Sequence, residues 1–185
     1  MRNLQWVKDP NHIEILPGPD ITEWLTKPYI LSHALKRISK ALTVKVLDQR
    51  FGHAYEDEYA ILNITPDPLP FVRQVFLQGD DESPLTYGRV IIPNATYHVH
   101  FPQFETLGTN LLGETLLYNN PDVSRGPFEY VHVPPRHSLA TQVYDHLPID
   151  YPRQPLWGRR SVFWIKTAPL LVMELFLPLL PPYPA

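Results

Sequence analysis

"LWGRRSVFWIKTAPLLVMELFLP", residues 156–178, is the stretch on which the fold turns. Its second part, 169–178, is almost wholly apolar, the pattern of a strand buried on both faces. With a period of two, Leu170, Val172, Glu174 and Phe176 share one face, and Leu171, Met173, Leu175 and Leu177 share the other. The first part, 156–167, reads as a partner strand, so the two make a final antiparallel hairpin. Arg159 and Arg160 fall on opposite faces of that partner. The run 170–180 is interrupted by Glu174 and Pro178 and is too short to span a bilayer.

Outward from this hairpin, the same pattern recurs. Residues 70–78 and 85–93 flank the polar turn "GDDESP" and form a second hairpin. Residues 42–51 and 127–133 alternate and read as further strands. Helices come first: Asp20 is read as the N-cap of a short helix, and 29–38 carries Ile30, Ala34, Leu35 and Ile38 at helical spacing. Residues 106–118 read as a loop and short helix, and the Pro-rich stretch 134–155 reads mostly as connection, with room for a short helix. Helices first and hairpin-linked strands afterwards give an α+β fold with an antiparallel sheet, in one domain over residues 1–185.

Composition narrows the function classes. The chain has 185 residues, 44% hydrophobic, enough for a sizeable core. It has no cysteine, which removes disulfides, thiolate metal sites and a Cys nucleophile. Net charge is −3, with no basic excess that points to nucleic acid. The N-terminus has no continuous apolar segment of the secretory kind, so a cytoplasmic protein is expected. No P-loop, dinucleotide fingerprint or Gly-x-Ser-x-Gly elbow is present. His98 and His100 share a face if 97–101 is extended, which is a weak metal signal without a third ligand.

Two charges stand out because they lie in apolar strands. Arg73 shares a face with Phe71, Val75 and Leu77, and Glu174 sits among Leu, Val, Met and Phe. Burying an isolated charge costs several kcal/mol, roughly, so each needs a partner. Three arrangements satisfy them: a structural ion pair, a position at a sheet edge reaching water, or a closed pocket. In the third, Arg73 grips a ligand carboxylate and Glu174 faces a hydroxyl or a migrating proton.

Residues 156–178, with Trp157, then Gly158-Arg159-Arg160-Ser161 and an apolar strand carrying Glu174 before Phe176-Leu177-Pro178, resemble the C-terminal signature of the chorismate lyase family. "FVRQVFL" (71–77), "YGRVIIP" (87–93), "LGTNLLGETL" (107–116) and "RGPFEYVHV" (125–133) resemble its other blocks, in the same order. The resemblance covers roughly the last two-thirds of the chain.

It implies an antiparallel sheet with helices packed on it and helical flaps over an internal ligand cavity. It also implies cleavage of chorismate to 4-hydroxybenzoate and pyruvate, the first committed step of ubiquinone synthesis in many bacteria. No metal or organic cofactor is implied, and the chain is expected to be a monomer with a small-molecule substrate, no nucleic-acid partner and no stable membrane insertion. By position, Arg73 holds the ring carboxylate and Glu174 faces the ring hydroxyl. Leu112 is a flap residue, Leu31 lines the pocket, and Arg89 meets the second carboxylate of the substrate. The rival expectation is a non-catalytic aromatic-acid or effector-binding module on the same fold.

Overall fold

Seven strands form one sheet in a computed structural model that describes residues 4–27, 30–118 and 120–184. They are β1 (Thr43–Phe51), β2 (Phe71–Gln78), β3 (Pro84–Ile92), β4 (Val123–Arg125), β5 (Glu129–Val133), β6 (Leu156–Ile165) and β7 (Ala168–Phe176). Six helices accompany them: α1 (Pro19–Thr26), α2 (Leu31–Leu35), α3 (Glu56–Leu62), α4 (Asn94–Val99), α5 (Phe101–Glu105) and α6 (Ser138–Tyr144). The strand order is β1-β2-β3-β7-β6-β4, with β5 also on β6, and all pairings are antiparallel. The fold is therefore α+β with a single antiparallel sheet, as helices followed by hairpin-linked strands implied. Hairpins β2–β3 and β6–β7 join through the β3–β7 ladder, so the stretch 156–178 holds the middle of the sheet.

Register assigns the faces. Arg73, Val90, Val172 and Ser161 lie in one row across β2, β3, β7 and β6. Val75, Gly88, Glu174 and Arg159 form the next row, and Leu77, Thr86, Phe176 and Trp157 the third. Against this face pack α1 and α2 through Trp24, Leu25, Leu31 and Leu35, and the segment 97–117 through Tyr97, Phe104, Leu112 and Leu116. The opposite face presents Phe76, Tyr87, Met173 and Leu175 to α6, and Val72, Ile91 and Leu171 to Leu62 of α3. The apolar run of β7 thus buries both of its faces.

Several boundaries differ from the sequence reading. Helix α1 opens with Pro19 at its first position and Gly18 as N-cap, so Asp20 sits in the first turn and does not cap it. Proline is at home there because that N–H has no intrahelical partner anyway. Helix α2 is shorter than 29–38, and Tyr29 lies outside the described residues. Residues His98 and His100 belong to the α4–α5 corner, not to an extended segment. Helix α3 and the short β4 carry no strong sequence signal. The start of α3 is fixed by Glu58, which accepts a hydrogen bond from the Tyr55 N–H at 2.8 Å.

Candidate functional site

Between the sheet and its helical cover lies a partly enclosed space of about 80 Å³. A single water needs roughly 10–15 Å³ of such space, so there is room for a small molecule. Its floor is the first sheet face: Arg73, Val75 and Leu77 from β2, Thr86, Gly88 and Val90 from β3, Val172 and Glu174 from β7. Its roof has two pieces. Leu31 and Ser32 come from α2, and Leu111, Leu112, Gly113, Leu117 and Tyr118 come from a π-helical turn at Gly113–Leu117 and its flanks. Single π turns recur at functional sites because they redirect a few side chains locally. Gly113 is required there: a Cβ would sit 2.5 Å from the Tyr118 ring. Gly88 keeps the floor open opposite Val75, where any larger side chain would occupy the cavity.

Arg73 is 2% exposed and has no carboxylate partner among the described residues. Its Nη2 donates to the carbonyls of Gly108 at 2.9 Å and Asn110 at 3.3 Å, and its Nε has no partner among the described residues. Burial without a counter-ion pushes its pKa down to about 10, which still leaves a cation at neutral pH. A planar, buried, charged donor set with an unused N–H is suited to a carboxylate ligand.

Glu174 lies one row further along, across β3. With strands about 4.8 Å apart and rows about 6.8 Å apart, the two Cα atoms are about 12 Å apart. They do not pair with each other. Glu174 accepts a hydrogen bond from Arg159 Nε at 2.7 Å, and the Arg159 guanidinium also donates to the Leu25 carbonyl and lies over the Phe128 ring. The carboxylate is thereby held at the cavity wall in a fixed pose. Thr86 lines the same space, is 1% exposed, and its hydroxyl has no hydrogen-bond partner among the described residues. An unmet buried hydroxyl costs about 1–3 kcal/mol.

The cavity thus brings together four of the expected residues: Arg73, Glu174, Leu31 and Leu112. Arg89 is a correction. It alternates with Gly88 and Val90, which face the cavity, so it faces the other side of the sheet. There its Nε and Nη2 donate to both oxygens of Glu58 at 2.8 and 2.9 Å, and its ring neighbour is Tyr55. Burial is the largest single influence on Arg89 and opposes its charge, but the hydrogen bonds and the charge of Glu58, with smaller help from Tyr87 and Tyr55, together outweigh it and raise the pKa. A polar cleft of about 230 Å³ on that side is larger than the cavity. Its buried charge is already neutralised in pairs, so it lacks the unmet cation that marks the cavity. Arg160 is a further buried charge of that face, bonded to Glu129 and Asp57. The Glu58–Arg89 pair escaped the sequence reading because Glu58 lies in a helix with no strong periodicity. Strict alternation around Gly88 was the available signal for where Arg89 points.

A family profile described as "Chorismate lyase" matches residues 1–182. The chain belongs to the chorismate lyase family. Among curated relatives, a probable chorismate pyruvate-lyase of Shewanella loihica is 33% identical over 95% of this chain and 88% of its own length. One of Methylobacillus flagellatus is 30% identical over 84% and 85%, respectively. Among solved structures, a GntR-family transcriptional regulator from Enterococcus faecalis superimposes with a TM-score of 0.50 at 13% identity, covering 74% of this chain and 90% of that one. The ligand-binding domain of a GntR-family regulator from Bordetella bronchiseptica gives 0.50 at 12%, covering 76% and 85%. At those identities the likeness is one of fold.

Proposed function

We propose that this chain cleaves chorismate to 4-hydroxybenzoate and pyruvate, the first committed step of ubiquinone synthesis. The observation that carries the proposal is Arg73: a buried guanidinium without a counter-ion among the described residues, facing the same apolar cavity as Glu174. The names of the curated relatives support the reaction.

Chorismate is a dianion with one carboxylate on the ring and one on the enolpyruvyl arm. Breaking the C3–O bond and removing the C4 hydrogen makes the ring aromatic, and the released enolpyruvate becomes pyruvate. Aromatisation drives the step, so the protein chiefly positions the substrate and handles charge. Arg73 anchors the ring carboxylate, and Glu174 faces the C4 hydroxyl. Val75, Val90, Val172 and Leu112 exclude water, which strengthens both polar contacts. The arm's carboxylate falls to cations other than Arg89. Arg125 and Arg159 lie across Glu174 from the cavity, around a gap of about 10 Å³. A non-catalytic module on this fold would bind an aromatic acid without turnover.

Purified protein mixed with chorismate decides between the two. Equimolar 4-hydroxybenzoate and pyruvate, followed by ring absorbance and a coupled pyruvate assay, establish the lyase. Chorismate bound but left intact establishes the module.

A further inference from the structure

Three polar side chains rise from the sheet into the cavity: Arg73, Glu174 and Thr86. The first two have roles in the reaction proposed above. The third is unaccounted for. Thr86 is cross-strand neighbour to Leu77 and Phe176, both apolar. It is 1% exposed, and its hydroxyl meets no acceptor or donor among the described residues. Valine has the same branched shape, suits a strand equally well, and carries no such penalty. A buried polar atom without a partner calls for one supplied from outside the protein.

Position says which part of a ligand supplies it. The rows of the floor run Arg73, then Glu174, then Thr86. Thr86 is therefore at the end of the cavity away from the carboxylate anchor, about 14 Å from the Arg73 Cα. It is the diagonal neighbour of Glu174 across the β3–β7 ladder, where Cα atoms are about 7–8 Å apart. One ligand oxygen placed between them can reach both groups at ordinary hydrogen-bond length. An ionised carboxylate only accepts, whereas a hydroxyl donates once and also accepts. The two protein groups thus complement a ligand hydroxyl.

We propose that Thr86 is a specificity residue for the ring hydroxyl of the aromatic acid. The ring O–H donates to Glu174, and the Thr86 O–H donates to the ring oxygen. This rests on the reading that an aromatic acid lies between Arg73 and Glu174, and it adds selection for a hydroxyl at the pole opposite the carboxylate. The ligand class is a para-hydroxylated aromatic acid, in preference to its unsubstituted counterpart.

The test is calorimetric titration of wild type, Thr86→Val and Thr86→Ser with 4-hydroxybenzoate and with benzoate. Thr86→Val preserves shape, and a thermal melt no lower than wild type confirms that it folds. The expected result is a roughly threefold to tenfold loss of 4-hydroxybenzoate affinity in Thr86→Val, with benzoate affinity unchanged and Thr86→Ser near wild type. Equal loss for both acids, or no loss for either, overturns the role of Thr86. Failure of wild type to bind either acid overturns the parent reading of the cavity and this role with it.

Discussion

Replacing Arg73 by methionine should make the empty protein more stable and the site useless. The guanidinium is 2% exposed and lacks a counter-ion, and burial lowers its pKa to about 10. A drop of that size corresponds to roughly 3 kcal/mol of charge penalty carried by the folded state. Against this stand two hydrogen bonds, to Gly108 and Asn110. Both acceptors lie in an exposed loop, so their carbonyls turn to water when the arginine goes, and each bond is worth about 1 kcal/mol. The balance favours methionine by about 1 kcal/mol, or roughly 2–4 °C in Tm for a chain of this size. Binding moves the other way. Losing a desolvated charge-assisted contact costs about 2–5 kcal/mol, which is roughly a 30-fold to 5000-fold weaker Kd for 4-hydroxybenzoate. Thermal melts of the ligand-free variant, read beside titrations and turnover on chorismate, measure both sides. A variant that melts below wild type yet binds normally would refute the reasoning and make Arg73 a strut for the loop at 108–110.

Glu174→Gln should keep the far-UV circular dichroism spectrum and lower kcat on chorismate by at least about tenfold; an unchanged kcat makes the Arg159 pair structural only. Arg89→Met should destabilise by about 3–5 kcal/mol, because Glu58 is left buried and alone, while the folded fraction binds 4-hydroxybenzoate as wild type does. Restored stability in the Glu58→Met/Arg89→Met double variant checks the cause in urea melts. Lys36 grips both oxygens of Glu114 at 2.6 and 2.7 Å, bridging α2 to the π turn over the cavity, and holds that carboxyl's pKa below its usual value. As a partly exposed pair it is worth about 0.2–1 kcal/mol, so Lys36→Ala should speed product release up to about fivefold in stopped-flow, an effect that high salt erases. His132 is buried beside Trp157 with neither ring nitrogen bonded among the described residues, and burial lowers its pKa. The unfolded chain then binds a proton that the folded chain refuses, so stability falls as pH drops below the ordinary histidine value. Replacing His132 by Phe should flatten that decline by no more than about 1.4 kcal/mol per pH unit in melts between pH 7 and 5.5.

The sheet was legible because its strands are short runs, continuously apolar in the middle of the sheet and alternating in 42–51 and 127–133, and because the turn at 79–84 is polar. Arg73 and Glu174 were conspicuous because their neighbours are not, and register then put both on one face. Leu31 and Leu112 came from resemblance, since an apolar residue on a short helix has no pattern that separates roof from core. Arg89 was misplaced because a residue-by-residue carry-over ignored the period of two, which sets Arg89 on the face opposite to Gly88 and Val90. The partners of the charges were hidden for a different reason. Arg159 meets Glu174 through strand register, but Glu58 reaches Arg89 from a helix 31 residues away, a distance that no local pattern encodes. Thr86 was overlooked because a threonine in a strand is ordinary until its surroundings are known.

The roof of the cavity is assembled from two stretches of chain, and the Lys36–Glu114 clasp joins residues 78 positions apart. Neither stretch closes the chamber unaided. Displacing either stretch therefore opens the chamber, and the clasp, with the apolar contacts beneath it, resists that displacement. Changes on the surface of the roof, far from any reacting atom, can retune how long a guest stays without altering what is done to it.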